Sequence, residues 1–376
     1  HVDGTGGHAM RNLIARLTRP MIRMLQLDDR GAFGALIGVL FASGVLLGLA
    51  ALTIDVGTVY QERAELQNGA DAGSLAVAKS CANGDCKVDE AAKYANLNAK
   101  DGASAVTLVC GPKGGLASCP GSSGTLVDCP APTSADKNYV DVHTATSTTG
   151  GSSLLPPVFA RALTGNGSYQ GTTILACARA SWGPAIQSAK SLAMTLSLCA
   201  WTQATGGGTP PVFGVDQRIY VRDAPNAPTC SGLSAPGEFG WLNDIGGCSA
   251  AIDLTQNGYV TGSDPGKNLS AACQSALLSY VANKTPIFIP IFDTTTGTGS
   301  GATYHLVGLA AFILTGYANM NPLKDAIPAP FTKGSCPNGA TTPSCIYGHF
   351  TQALVPVATQ IGDGTYFGAT AVKLAG

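Results

Sequence analysis

One uninterrupted apolar stretch dominates the pattern of hydrophobic and polar positions in this chain. From Ala32 to Ile54, 23 consecutive residues carry no charged side chain. A helix rises about 1.5 Å per residue, so this stretch is long enough to cross the roughly 30 Å hydrocarbon layer of a bilayer. The pattern therefore predicts one membrane-spanning helix.

Charged residues flank this stretch unequally. Arginines precede it, whereas acidic residues and a single arginine follow it: Arg11, Arg16, Arg19, Arg23 and Arg30 before, and Asp55, Glu62, Arg63, Glu65 and Asp71 after. Because basic residues collect on the cytoplasmic side, we expect a single-pass protein of a bacterial cell membrane. Residues 1–30 would form a cytoplasmic basic tail, and the C-terminal region would lie outside the cytoplasm.

Two other interpretations of the apolar stretch are a cleaved signal peptide and a buried helix of a soluble protein. Signal peptides usually have an apolar core of only about 7–15 residues, so an uncleaved anchor is the better prediction. Small residues near the exit from the membrane, Ala76 and Ala78, leave cleavage open.

The helical pattern continues beyond the apolar stretch. Alanines and leucines recur at helical intervals from Val56 to Ala82 without a proline, which predicts one helical unit over residues 31–82. At 100° per residue, glycines align on one side of this helix. This stripe consists of Gly34, Gly38, Gly44 and Gly48, and Asp55 ends it.

The glycine stripe is a candidate helix-packing face. Two G-x-x-x-G spacings would let another membrane helix approach closely, which suggests a homo- or hetero-oligomer formed through the transmembrane helix. The general abundance of glycine in such helices explains the stripe equally well. Asp55 either marks the membrane interface or pairs with a basic group of a neighbouring subunit.

A specific order of residues accompanies this helix. Asp29-Arg30-Gly31-Ala32 precedes the core, Ile54-Asp55-Val56-Gly57 ends it, and Tyr60, Glu62-Arg63-Ala64-Glu65-Leu66-Gln67-Asn68 and Ala70-Asp71-Ala72 follow. Over about residues 28–82 the chain resembles the TadE/TadG-like family associated with Flp (Tad) pilus assembly. The resemblance implies a pilin-like protein without catalytic activity. Its implied partners are the lipid bilayer and other pilus-assembly or pilin-like membrane proteins.

Some larger members of that family resemble carriers of a von Willebrand A domain. The metal site of such a domain needs an Asp-x-Ser-x-Ser motif, which this chain lacks. We therefore expect no metal-dependent adhesion site.

The remainder of the chain is read as short strands separated by turns. Alternating or β-branched runs predict strands at Ala105–Cys110, Tyr139–Ala145, Thr172–Trp182, Val212–Asp223, Thr285–Asp293 and Thr303–Tyr317, and short helices at Pro157–Leu163 and Lys190–Trp201. Both alternating faces of Thr303–Tyr317 are largely apolar, which favours a central strand covered on both sides over a second membrane span.

These elements predict two exported domains. A small α+β domain at residues 83–184 would pack against the emerging helix, and a β-rich, disulfide-bonded domain would follow at 185–376. The expected fold class is α+β: a long N-terminal membrane-spanning helix followed by disulfide-rich, mainly β extracytoplasmic domains.

All 12 cysteines lie beyond residue 80, and none has the C-x-x-C spacing typical of zinc ligands. Their position agrees with disulfide formation in an oxidising compartment. The candidates are Cys81, Cys86, Cys110, Cys119, Cys129, Cys177, Cys199, Cys230, Cys248, Cys273, Cys336 and Cys345. Short loops suggest the pairs Cys81–Cys86, Cys230–Cys248 and Cys336–Cys345, although spacing leaves the connectivity open.

Composition and motifs argue against several classes of function. A net charge of −1 provides no field that would attract nucleic acid, so no nucleic-acid partner is expected. The chain has no G-x-S-x-G elbow, H-E-x-x-H motif, P-loop or Rossmann glycine pattern, so we assign no catalytic, cofactor-binding or metal-binding residue. An exported hydrolase that combines His143 or His305 with Asp293 and a serine remains an alternative.

The segment from Gly237 to Asp244 concentrates aromatic and polar residues. We expect Trp241 and Leu242 to fill a small core. Asn243 and Asp244 lack the ligand spacing of an EF-hand, so no calcium site is assigned.

The sequence therefore favours a non-catalytic, membrane-anchored envelope protein that assists assembly or anchoring of a Flp/Tad-type pilus or a related secretion apparatus. The second hypothesis is a membrane-tethered module that binds a glycan, a cell-wall polymer or a host protein. No cofactor is expected.

Overall fold

The computed structural model describes most of the chain from residue 33 onward. The described residues are 33–375 without positions 43, 122–127, 130, 133–136, 160–169, 208–210, 221–238, 256–258, 262–268, 298–301, 337–343, 357–359 and 363. The predicted basic tail, Gly31 and most of the helix expected at Pro157–Leu163 lie outside these residues.

The described helices are α1 (residues 33–42), α2 (Val45–Ala82), α3 (Asp89–Asn98), α4 (Leu198–Thr205) and α5 (Ala271–Asn283). The strands are β1 (Ser104–Cys110), β2 (Tyr139–Thr146), β3 (Leu175–Pro184), β4 (Gln187–Leu192), β5 (Met194–Ser197), β6 (Gln217–Tyr220), β7 (Phe239–Trp241), β8 (Ser249–Asp253), β9 (Tyr259–Thr261), β10 (Ile287–Thr296), β11 (Thr303–Ala318), β12 (Cys345–Thr351), β13 (Ala353–Leu354) and β14 (Ala369–Ala375).

The N-terminal helix is interrupted. Gly44, between α1 and α2, has a left-handed φ of 71°, which glycine adopts readily because it has no Cβ. The single continuous helix expected over residues 31–82 is therefore wrong at this point. No helix among the described residues combines the length and the apolar character needed to cross a membrane.

The first sheet has five strands in the order β1-β2-β3-β14-β13. One of its faces lies under α2: Val140 and Val142 of β2 and Ala180 of β3 are buried in one cluster with Val77 and Ala78 of α2. The strands predicted at Ala105–Cys110, Tyr139–Ala145 and Thr172–Trp182 correspond to β1, β2 and β3. The helix–sheet packing results from the two-residue alternation of these strands.

The second sheet has seven strands and contains the larger core. Its main order is β6-β12-β11-β10-β5-β7, and β9 pairs with β11. β11 lies between β10 and β12, and consecutive residues Leu309, Ala310, Ala311 and Phe312 are at most 2% exposed. Because consecutive strand residues point to opposite faces, both faces of β11 are covered, as predicted.

The helix predicted at Lys190–Trp201 is wrong over its first two thirds. That stretch contains part of β4 and all of β5, and only at Leu198 does α4 begin. Ser197 sets this start, because its hydroxyl accepts a hydrogen bond from the Ala200 N–H at 3.0 Å. Pairing of β5 with β10 and β7 outweighs the local helical pattern.

The C-terminal strands return to the first sheet. β14 pairs with β3 from Thr370 to Ala375, so the five-stranded sheet draws strands from both sides of residue 184. The domain boundaries drawn from the sequence remain predictions.

The described cysteines are all joined in disulfides. The pairs Cys81–Cys86 and Cys336–Cys345 were predicted and are confirmed. The predicted pair Cys230–Cys248 is wrong, because α5 brings Cys273 to Cys248. The structure adds Cys110–Cys119 and Cys129–Cys177. A mixed, mainly β, disulfide-rich fold is thereby confirmed.

Candidate functional site

The N-terminal part of the helix carries a surface of exposed apolar side chains. Ten large apolar residues here are 36–66% exposed. They are Phe33, Leu36, Ile37, Val39, Phe41, Val45, Leu49, Leu52, Ile54 and Val56, which we call the apolar surface. Monomeric soluble proteins rarely expose contiguous apolar patches of large size, so this surface is a candidate interaction site.

The C-terminal part of the same helix is instead covered by protein. Leu66, Ala70, Val77 and Ala78 of α2 are at most 2% exposed. The change occurs near Val59, which packs against the buried cluster that contains Leu66. Helix α2 therefore has two halves in opposite environments.

Two glycines allow α3 to approach α2 closely. A Cβ at Gly69 would lie 3.2 Å from the backbone of Ala95, and one at Gly73 would lie 3.1 Å from the carbonyl oxygen of Ala91. Gly69 and Gly73 have G-x-x-x-G spacing, the same spacing as the pairs noted in the apolar stretch. The sequence therefore contained this signal, but in a segment where no partner helix was expected.

Polar residues of α2 fasten it to the first sheet. The Gln67 amide donates to the carbonyl oxygen of Cys177 at 3.1 Å and to the Asp71 carboxylate at 2.9 Å. The Thr144 hydroxyl of β2 donates to the carbonyl oxygen of Leu66 at 3.0 Å. Leu66 and Gln67, which belong to the residues that carry the family resemblance, thus also help to dock α2 on the first sheet.

Two acidic residues of α2, Glu62 and Glu65, form hydrogen bonds to neighbouring segments. Glu65 accepts a hydrogen bond from the Lys100 N–H at 2.8 Å. Partial burial raises the pKa of Glu62, a hydrogen bond from Thr146 opposes this, and the nearby carboxylates of Glu65 and Asp101 add to the increase.

Asp55 lies where the apolar surface ends. Its carboxylate accepts hydrogen bonds from the Val158 N–H at 2.8 Å and from the Phe159 N–H at 3.0 Å. The predicted roles of Asp55 were an interface marker or a partner for a basic group of another subunit. The contact with this turn was not predicted, because the two segments are 103 residues apart in sequence.

The structure also locates the predicted helix-packing face. A Cβ at Gly34, Gly38 or Gly44 would have no neighbour within 4 Å, so this side of the helix is open. The Gly48 N–H donates to the Gly44 carbonyl oxygen at 2.7 Å. Since Gly44 lies at the interruption between α1 and α2, the stripe does not follow one continuous helix. Its role as a packing face remains a prediction.

The helix with these two halves is the part of the chain that matches a known family. Residues 34–80 match a family model described as Tad, putative Flp pilus-assembly TadE/G-like. The resemblance seen in the sequence is confirmed over this Tad segment, which comprises 47 of the 376 residues. No curated protein and no solved structure matches the chain.

A second candidate region is a cavity of about 320 Å³ on the face of the first sheet opposite α2. Asp141 and Arg179 line it and form a buried bidentate ion pair with both distances at 2.6 Å. The Arg179 guanidinium also lies 4.0 Å from the centre of the Tyr139 ring. Each charge is therefore compensated within the sheet.

His143 lies at this cavity, with its Nε2 3.9 Å from Cys129 Sγ. His143, Cys129 and Cys177 are close enough together to suggest three metal ligands. Cys129 and Cys177 are bonded to each other, however, and a disulfide sulfur is not the thiolate that binds metals. The group does not fit a thiolate metal site.

Two further histidines of the described residues, His305 and His349, lie in the second sheet, each beside an acid. His305 Nδ1 is 2.6 Å from Asp293 Oδ1, so two members of the hydrolase alternative are in contact. His143, in the first sheet, is not part of this pair. A similar pair, His349 with Asp216 at 2.5 Å, was missed because 133 residues separate them in sequence.

The Gly237–Asp244 segment is described only from Phe239 onward. Leu242 is 2% exposed and Trp241 packs against the same core, so both side chains pack inward as predicted. They belong to the large core of the second sheet, however, and not to the separate small core that was expected. The Asp244 carboxylate accepts hydrogen bonds from the N–H groups of Gly246, Cys248 and Ser249. This carboxylate closes a turn.

Proposed function

We propose that this chain is a non-catalytic, membrane-anchored envelope protein that assists assembly or anchoring of a Flp/Tad-type pilus or a related secretion apparatus. The family match over residues 34–80 supports the pilus context. The observation that carries the proposal is the division of this Tad segment into an apolar surface and a half packed on a sheet.

The energy of the apolar surface supports a lipid environment. Full burial of a Val, Leu, Ile or Phe side chain contributes about 1.5–3 kcal/mol. Ten such side chains, each about half exposed, correspond to a stabilisation on the order of 10 kcal/mol when they leave water. This is comparable to the whole stability of a domain, so the surface requires an apolar environment.

Charge and cysteine placement support the orientation. The arginines before the apolar stretch favour a cytoplasmic N-terminal side, and every cysteine follows the stretch. The disulfides among the described residues suit an oxidising compartment outside the cytoplasm. We therefore place the two sheets outside the cell membrane.

The proposal is tested by affinity isolation from crosslinked membranes of the producing bacterium. We expect pilins and assembly-platform proteins to be recovered with the full chain. Gly48→Leu should reduce this recovery if the glycine stripe contacts a partner helix, and Ala50→Leu is a matched control on another side of the same turn. Repeated absence of pilus components from the wild-type sample would contradict the proposal and favour a surface binding module.

A further inference from the structure

The turn at Pro157–Phe159 lies against the helix where the apolar surface ends. We propose that this turn is a second lipid contact, inserted into the outer membrane interface and held there by Asp55. The inference rests on the proposed membrane anchor, and its occupant is the bilayer itself.

The hydrogen bonds fix the position of the turn along the helix. Asp55 is the first charged residue after the apolar stretch, and its carboxylate accepts both the Val158 and the Phe159 N–H. Its neighbours Ile54 and Val56 are 46% and 44% exposed. A helix anchored through the apolar surface would therefore place Asp55, and the turn bound to it, at the membrane interface.

The turn presents apolar side chains at this level. Val158 is 55% exposed and Phe159 is 41% exposed, although their backbone N–H groups are bound. Tyr60, five residues beyond Asp55 on the helix, is 70% exposed. Tyr is enriched at the interface between hydrocarbon and water, which suits Tyr60. The apolar side chain of Phe159 suits the adjacent boundary with the acyl chains.

The base of the turn is built into the fold. Leu155 packs in one cluster with Val59, Leu66 and Ile174. Its backbone forms two hydrogen bonds with Thr172, at 2.8 and 3.2 Å. The turn is thus held through Leu155, which packs and pairs just before β3, and through the hydrogen bonds of Asp55 to Val158 and Phe159. Two attachments separated along the helix would restrict the tilt of the exported part relative to the membrane.

Tryptophan substitution with brominated lipids tests the contact. The full chain is reconstituted in phosphatidylcholine–phosphatidylglycerol vesicles with or without bromine on the acyl chains, and the wild-type signal is subtracted. In vesicles without bromine, we expect the added fluorescence of Phe159→Trp to be shifted to the blue. In brominated vesicles, we expect this fluorescence to be quenched. Ile245→Trp, exposed between β7 and β8, is the control that should not be quenched.

Leu49→Trp separates this inference from the anchor on which it rests. If Leu49→Trp is quenched and Phe159→Trp is not, the lipid contact of the turn is overturned and the anchor stands. If neither is quenched, the anchor fails and the inference fails with it. Quenching of both variants together with Ile245→Trp would indicate unspecific adsorption and would also contradict the inference.

Asp55 is tested as a positioning residue. In the Phe159→Trp background, Asp55→Ala should reduce quenching because the acceptor is lost, whereas Asp55→Asn should restore part of it through the amide oxygen. Leu49→Trp, combined with each Asp55 substitution in a chain that keeps Phe159, should stay quenched. Unchanged quenching of Phe159→Trp in Asp55→Ala would refute the role of Asp55.

Discussion

Substitution of Gly73 by alanine tests how closely α3 packs on the Tad segment. The new Cβ would lie 3.1 Å from the Ala91 carbonyl oxygen and 3.3 Å from its Cα. Ordinary contact begins near 3.4 Å, so the two helices must separate by a few tenths of an ångström. Overpacking of this kind typically costs about 1–3 kcal/mol.

A second effect of the substitution has the opposite sign. Alanine is favoured over glycine in a helix interior by about 1 kcal/mol. Asn68 provides the reference, because it lies on the exposed side of α2 in the same region. The difference in the free energy of unfolding between Asn68→Ala and Asn68→Gly gives the preference for alanine over glycine at an exposed position of this helix. We expect the change in the free energy of unfolding caused by Gly73→Ala to be less favourable than this reference by roughly 1–3 kcal/mol.

The assay is chemical unfolding of the full chain in detergent micelles. Trp182 is a useful probe because it is buried in the same cluster as Ala91. The Asn68 pair and Gly73→Ala are compared at one detergent concentration. A stabilisation by Gly73→Ala equal to the Asn68 reference would show that α3 does not approach α2 as closely as described.

Three further predictions concern residues outside the apolar surface. Asp141→Asn should destabilise the chain by about 3–5 kcal/mol in chemical unfolding, and joint replacement of Asp141 and Arg179 by leucine should cost much less, because no buried charge is then left uncompensated. Burial raises the pKa of Glu62 in the folded chain. The contribution of Glu62 to the free energy of unfolding is therefore most favourable at pH values below its ordinary pKa of 4.5, and it is lost as the pH rises through the folded pKa. Unfolding of Glu62→Gln should therefore lack this decline of stability with pH. Replacement of Cys248 and Cys273 by alanine should lower stability by about 2–4 kcal/mol, and non-reducing peptide mapping should find these two residues linked.

Local patterns predicted much of the secondary structure. Alternation in Tyr139–Ala145 and the doubly apolar run in Thr303–Tyr317 identified β2 and the central strand β11, because each pattern follows from the surfaces that the strand buries. The failure at Lys190–Trp201 has the opposite cause. Pairing with distant strands decided the conformation there, and no local pattern reports such pairing.

The candidate site was predictable to a similar extent. The Tad segment was visible in the order of its residues, and the family match confirms it. The contact of Asp55 with the turn at Val158 was not predictable, since it joins segments brought together only by the first sheet. Two disulfides that close short loops, Cys81–Cys86 and Cys336–Cys345, were predicted from their spacing. The bond Cys248–Cys273 was missed because it depends on where α5 packs.

We propose that the apolar surface anchors the chain and that both sheets lie outside the cell membrane. The most direct test is labelling of intact protoplasts with a membrane-impermeant amine reagent, followed by peptide mapping. The lysines all follow the apolar stretch, and Lys93 and Lys284 are exposed on α3 and at the end of α5. We predict labelling of both lysines without lysis, while a cytosolic marker stays unmodified. Labelling of these lysines only after lysis would contradict the account.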